Sequence, residues 1–395
     1  MRLYIQSLMQ DTFRIPLFKV LMNPDLKDSV TNILMSGKIS QYGKVNEFEE
    51  RLGEYLENDK VLTVNSGTTA LHLAYHILKK PDLDNHWPGL NPGDEVLTTS
   101  LTCVATNWPI LANNLKIKWV DFDPENMNIN MTDLRNKLSK TTKIISVVHW
   151  GGYPCDLEEL EKIKDECYDK WGFRPYIIED GAHAFGAKFK GKPLGNHGNL
   201  VMFSLQAIKH LTTIDGGLLI LPNKELYERA KLIRFFGIDR ERKNNQKDFR
   251  VEDNISEWGY KFHMNDVNAT VGLGNLDLAK KMLEIHRDNA NFYFKNLTDV
   301  PGLTLLENKT DRVGSWWLFT MRVLRRDDFI DHMKKYKIMA SQVHGRNDIH
   351  SCVSEYKIDL PLLDKYEGEV VCIPVGWWVT PEDRQFIVDT IKIGW

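Results

Sequence analysis

The sequence predicts an α/β protein: a mostly parallel sheet covered by helices, followed by a smaller α+β C-terminal domain. Three observations carry this reading. Short apolar runs alternate with longer helical ones from about residue 60 to 222. Two of those runs, KIISVVHW (143–150) and PYIIED (175–180), suit strands buried on both faces. After about residue 223 the alternation gives way to long amphipathic helices, so the chain divides into 1–245 and 246–395.

The elements follow in order. In NSGTTALHLAYHILKK (65–80), Ala70, Leu73, Ala74, Ile77 and Leu78 fall on one helical face, with Ser66, Gly67 and Thr68 at its start. DEVLTTS (94–100) and LKIKWVDFD (115–123) read as strands, the second with Leu115, Ile117 and Trp119 alternating against lysines. Between the two apolar strands lies DLEELEKIKDECYDKWG, a helix with Asp156 as N-cap, Glu159 completing a capping box and Gly172 as its stop. LVMF (200–203) and GGLLIL (216–221) are strands flanking a polar loop. RERKNNQKDFR (240–250) reads as a solvated, mobile connection, and residues 265–297 as one long helix. The last helix begins at TPEDRQ, with Thr380 as N-cap and Pro381 in the first helical position.

Composition narrows the function. With 395 residues and a net charge of −3, the chain is large enough for two cores and is not built for a polyanion such as nucleic acid. Its five cysteines (Cys103, Cys155, Cys167, Cys352, Cys372) form no CxxC pair, so neither a metal site nor a disulfide framework is expected. MRLYIQSLMQDTFRIPLF lacks a signal peptide's apolar core, and no run of 18 apolar residues occurs, so a cytoplasmic protein is expected.

Ligands of parallel sheets bind beyond the carboxyl ends of the strands. There the sequence places four groups: Ser66-Gly67-Thr68 at a helix start, Glu179 and Asp180 ending an apolar strand, the loop with Ser204, Lys209, His210, Thr212 and Thr213, and GYKFHMND (259–266). Each has an ordinary explanation: an N-cap, a structural ion pair, a solvated lysine. Each also has a chemical one. Free amides at a helix start bind phosphate, a buried carboxylate keeps a heterocyclic nitrogen protonated, and a desolvated lysine is a nucleophile able to form a Schiff base. A phosphate turn, an aspartate and a lysine in this order are what a pyridoxal phosphate enzyme requires.

The ordered set is similar to the DegT-type nucleotide-sugar aminotransferases, a family of fold-type-I pyridoxal phosphate enzymes. The resemblance runs from GKISQYGKVNEFEERL (37–52) through NSGTTALHLA, GDEVLTTSLTCVATNW, VDFDPENMNIN, VVHWGGYPCDL, IIEDGAHAFGA and FSLQAIKHLTTIDGG to GYKFHMNDVNATVGL. It implies pyridoxal 5'-phosphate as cofactor, with pyridoxamine 5'-phosphate as intermediate. The substrates would be an amino-acid donor, glutamate, and a nucleotide-linked ketosugar aminated at C3 or C4. A homodimer with shared active sites is also implied. Carried over by position, Lys209 would be the Schiff-base lysine, Asp180 the partner of the ring nitrogen and His183 the neighbour of the phenolic oxygen. Ser66, Gly67, Thr68 and Ser204 would hold the phosphate, and Lys261 would reach the neighbouring subunit's cofactor.

Three positions depart from the family pattern. Cys103 stands where relatives often stack an aromatic ring, with Trp108 nearby; Lys261 and His263 replace Asn and Arg; and Trp377 and Trp378 stand where relatives have a His-Pro pair. Arg346, in VHGRND, reads equally as an anion ligand or a surface turn. Two rival functions remain at this point. A pyridoxamine-dependent dehydratase of the same family would use histidine at the lysine position, which draws attention to His210. A non-catalytic regulator would keep the fold without needing Lys209, Asp180 and Ser204 together.

Overall fold

The computed structural model describes residues 13–82, 86–240 and 254–395. The 240–250 connection, apart from Arg240, and the expected division at 245/246 lie outside the described residues.

The central sheet has seven strands: β1 (Val61–Val64), β2 (Glu95–Thr99), β3 (Lys116–Val120), β4 (Thr142–Val148), β5 (Tyr176–Asp180), β8 (Leu200–Ser204) and β9 (Gly217–Ile220). Two short hairpin strands, β6 (Lys188–Phe189) and β7 (Lys192–Pro193), intervene. The spatial order is β1-β9-β8-β5-β4-β2-β3. Pairing is parallel from β8 to β3, and β9 runs antiparallel to both β1 and β8. The mostly parallel sheet is thus as the sequence predicts, with one reversed strand.

The helices are α1 (Leu26–Met35), α2 (Gly43–Leu56), α3 (Gly67–Ile77), α4 (Val104–Ala112), α5 (Met131–Lys137), α6 (Leu157–Trp171), α7 (Lys224–Ile233), α8 (Asp266–Asn296), α9 (Arg326–Lys335), α10 (Pro361–Tyr366) and α11 (Pro381–Ile393). Alternate strand residues face opposite sides. Leu62, Val96, Ile144, Ile178 and Met202 pack with α3 and α4, whereas Val61, Leu97, Ile145, Ile177 and Val201 pack with α2, α6 and the first half of α8. Both faces are covered, which is why the strands read as unbroken apolar runs.

A second, antiparallel sheet contains β10 (Leu303–Leu305), β12 (Phe319–Val323) and β13 (Val370–Ile373), in the order β10-β12-β13. The pair β11 (Arg312–Val313) and β6 belongs to a third, small sheet. The antiparallel sheet's core joins Phe319 and Val371 to Phe329 of α9, Ile387 of α11 and the second half of α8 through Ala290 and Tyr293. The 31-residue α8 therefore belongs to two cores.

The caps are largely those expected. Asp156 accepts the Glu159 amide at 3.1 Å, and Gly172 ends α6 at φ 77°. The Glu159 carboxylate does not complete the capping box. It pairs with Arg135 of α5 at 2.6 Å, because an ion pair holds it more strongly than a backbone amide would. Among the described residues no helix is long and apolar enough to cross a membrane.

Candidate active site

Strand register brings the predicted groups to one edge. Val64, Gly217 and Ser204 lie side by side on β1, β9 and β8, while Asp180 at the end of β5 pairs with Val148 and Met202. The carboxyl ends of β1, β8, β5 and β4 thus converge, as the location rule for such sheets requires.

At β1 the chain turns into α3. Ser66 caps the helix by accepting the Thr69 amide at 3.1 Å, and Thr69 returns a hydroxyl contact to the Ser66 amide at 3.2 Å. That leaves the Gly67 and Thr68 amides with no acceptor among the described residues, at the positive end of the helix dipole. A Cβ on Gly67 would lie 3.0 Å from the Met202 sulfur and 3.2 Å from the Ser204 Cβ, so the helix start abuts Ser204 directly. Two free amides and a nearby hydroxyl make a cradle that fits a phosphate.

The two carboxylates of IIED have separate roles. Glu179 is fully buried and accepts from His149 Nε2 at 2.8 Å and Asn199 Nδ2 at 2.7 Å, an internal structural network. Asp180, 4% exposed, accepts from the Thr106 hydroxyl at 2.7 Å and the Ala182 amide at 3.0 Å. Burial pushes its carboxyl above the usual range, opposed by those hydrogen bonds and by Lys209.

Lys209 stands in a loop closed on itself: the Lys209 amide donates to Gln206, and the Thr213 amide to Leu205. Its ammonium group lies 3.4 Å from the ring centroid of Trp317. Burial lowers its pKa to about 7, with Asp180 and Cys103 partly opposing the fall. The amine is therefore divided between its two protonation states near neutral pH, the condition for proton transfer. His210 is turned elsewhere and donates through Nε2 to the Ser315 carbonyl at 3.0 Å.

His183 is buried and held well below its ordinary pKa, first by burial and then by the Lys209 charge. Its Nδ1 accepts the Gly151 amide at 3.3 Å, so Nε2 carries the proton, which meets His344 Nε2 at 3.4 Å. The rings of Trp317 and His344 stack on His183 at 4.1 Å and 5.3 Å, with interplanar angles of 23° and 2°. His344, with its pKa lowered by burial to about 3, is neutral too.

The remaining candidates stand further out. Lys261 is exposed, and its carbonyl accepts from Asn65 at 3.3 Å beside the start of α3. Arg346 forms a two-pronged ion pair with Asp348 (2.9 and 2.7 Å) and a second with Asp364, so its charge is already matched. Trp108 meets His350, Trp378 donates to the Pro16 carbonyl at 2.8 Å, and Lys19 lies over Trp377. Cys103 occupies the position before α4 and supplies no ring.

Trp317, His344 and Thr106 escaped the sequence reading. The first two come from beyond residue 300; only GSWWLF, two adjacent tryptophans just before a strand, hinted at Trp317, and nothing local marked His344.

Comparison with known proteins gives concordant results. The sequence profile of the DegT/DnrJ/EryC1/StrS aminotransferase family matches residues 21–392. The crystal structure of the sugar aminotransferase CalS13 from Micromonospora echinospora is 42% identical, with a TM-score of 0.90 over 96% of this chain and 100% of that one. AtS13 from Actinomadura melliaura is 47% identical, with a TM-score of 0.90 over 96% and 99% of the two chains. The UDP-4-amino-4-deoxy-L-arabinose–oxoglutarate aminotransferase of Shewanella sediminis is 29% identical over 334 residues, covering 82% of each chain.

Proposed function

The chain belongs to the DegT/DnrJ/EryC1/StrS aminotransferase family, and from that premise we propose that it is a pyridoxal phosphate-dependent aminotransferase. It moves an amino group from glutamate to the keto group of a nucleotide-linked deoxysugar. The observation that carries this reading is the half-buried Lys209, its pKa lowered to about 7 and its amine against the Trp317 ring, within electrostatic reach of Asp180.

When bound, the cofactor supplies an aldehyde that captures amines and a ring that withdraws electrons. The protein's own residues do the rest. Lys209 would be the amine that meets the aldehyde and, when free, the base that holds or moves a proton at its Nζ. Asp180 would keep the ring nitrogen protonated, and such a cation would offset the burial of the carboxylate. His183, ringed by Trp317 and His344, would neighbour the cofactor's phenolic oxygen as a neutral imidazole. The Gly67 and Thr68 amides, with Ser66 and Ser204, would hold the phosphate.

We place the amine at C4 first, because the Shewanella relative is named for a 4-amino sugar and for oxoglutarate, the keto acid that glutamate leaves behind. C3 is the alternative. Lys261 reaches the cofactor of a second copy, a reading supported by its exposure and by Met35 (80% exposed), Tyr42 and Ile214, apolar residues uncovered in one chain. Sedimentation velocity should give a dimer, and Lys261→Ala should weaken cofactor binding about tenfold; a monomer with unchanged affinity refutes the shared site.

The decisive experiment incubates the protein with pyridoxal phosphate, glutamate and a panel of nucleotide-linked 4-keto and 3-keto sugars. Oxoglutarate and an amino-sugar nucleotide should appear together, and Lys209→Ala should abolish both. Turnover by Lys209→Ala at the wild-type rate would sink the mechanism, and no turnover across the panel would sink the substrate class.

A further inference from the structure

We infer that Trp317 is the positioning residue for Lys209: it holds the lysine amine whenever that amine is not joined to the cofactor. The inference rests on the aminotransferase reading for its purpose, though not for its geometry.

The geometry begins with the backbone on either side of the lysine. The Trp317 indole Nε1 donates to the carbonyl of Ile208 at 2.9 Å, and His210 donates through Nε2 to the carbonyl of Ser315 at 3.0 Å. The residues before and after Lys209 are therefore both tied to one short segment, 314–318. That segment is itself held from several directions. Ser315 donates its hydroxyl to the His183 carbonyl at 2.9 Å and its amide to the Gly152 carbonyl at 3.0 Å. His286 of α8 donates to the Trp316 carbonyl at 2.9 Å, and Arg287 to the Gly314 carbonyl at 3.2 Å. Trp316 adopts φ 51°, a conformation a tryptophan takes only when its surroundings impose it. The reversal puts Trp316 in the core of the small sheet and Trp317 against Lys209.

With the backbone fixed, the side chain follows. Trp317 is 3% exposed, with Phe18 stacked at 4.7 Å and His183 at 4.1 Å, so its ring has little freedom to turn. The aromatic face 3.4 Å from Nζ attracts the ammonium form through the ring quadrupole. The other groups facing the amine are Asp180 on β5, Cys103 before α4, His183 after β5, and His344 on the segment after residue 340. His183 and His344 are neutral, so Asp180, with a smaller contribution from Cys103, and the Trp317 face hold the charge in place. A displaced lysine must stay within reach of the next proton, and Trp317 confines it there.

The test reads Lys209 directly, without substrate. Full-length protein, before any cofactor is added, is treated with potassium cyanate across pH 5 to 10, and carbamylation of Lys209 is followed by peptide mass spectrometry. Cyanate modifies the neutral amine, so the rate reports its titration. Trp317→Phe keeps an aromatic face and should keep the midpoint. Trp317→Leu and Trp317→Met fill the space without a quadrupole, and each should move the midpoint down by about half to one pH unit. Two aliphatic variants guard against one that fails to fold. Midpoints identical in Phe, Leu and Met variants would overturn the inference, and so would an equal shift in all three, which would make bulk the only requirement. If the ketosugar panel were inert, the functional reading would fail while these midpoints stood.

Discussion

At Asp180 the fate of one carboxyl group depends on the strand that carries it. Strand alternation sends Glu179 to His149 and Asn199 on one side and Asp180 to Thr106 and the lysine on the other. Asp180→Asn keeps the shape and one acceptor oxygen, turns the other into a donor that only the Thr106 hydroxyl can accept, and loses the charge. We expect kcat to fall by about a hundredfold or more, with a melting temperature equal to or above wild type, since a buried carboxyl is removed. A variant with wild-type kcat would remove Asp180 from the chemistry. The sequence made Asp180, Lys209 and Gly67 legible because each follows a strand or starts a helix, where direction is set by local rules. Trp317 and His344 were not legible. Their place depends on how a segment beyond residue 313 folds back onto a loop near residue 209, and no local pattern encodes that contact.

At the scale of elements, the segment 314–318 is the joint on which the site depends. Gly152 lies beneath it at φ 95°, and a Cβ there would meet Ser315 Oγ, the His183 carbonyl at 2.6 Å and the Trp316 amide at 2.8 Å. Gly152→Ala therefore has both strain and a clash to relieve, and we expect a loss of about 2 kcal/mol or more in urea unfolding. Because the clash lies between segment 314–318 and His183, cofactor affinity should fall as well; stability lost with affinity unchanged would show that this segment does not position the site. Helix caps were readable from sequence because they are contained in four residues, as at Asp156 and Thr380. Glu159 was misread for the opposite reason: its partner, Arg135, is on another helix.

For the molecule as a whole, buried and half-buried neutral histidines set a limit in acid. Burial lowers His286 to about 4 and His344 to about 3, and holds His183 well below the ordinary value. In the unfolded chain each titrates near 6.5. Between about pH 6.5 and 4 the unfolded state thus binds protons that the folded state refuses. Stability must fall as pH falls through that window, by at most about 1.4 kcal/mol per pH unit for each such histidine. Urea midpoints at pH 7 and pH 5 measure the slope. His286→Asn, which can still donate to the Trp316 carbonyl, should flatten it; an unchanged slope would mean that His286 is already charged in the fold.

The reversed strand β9 also has a bearing on how the protein is made. β1 is an edge strand paired with β9, and about 150 residues separate Val64 from its partner Gly217. On a ribosome adding about 5–20 residues per second, β1 emerges roughly ten to thirty seconds before the strand that pairs with it. The Ser66–Thr68 turn meets Ser204 only after β9 has been inserted between their strands. A nascent chain halted before residue 217 would contain the lysine and the aspartate but not a finished phosphate cradle. If that cradle holds the phosphate, as proposed, a chain able to take up the cofactor is one whose sheet has closed around β9.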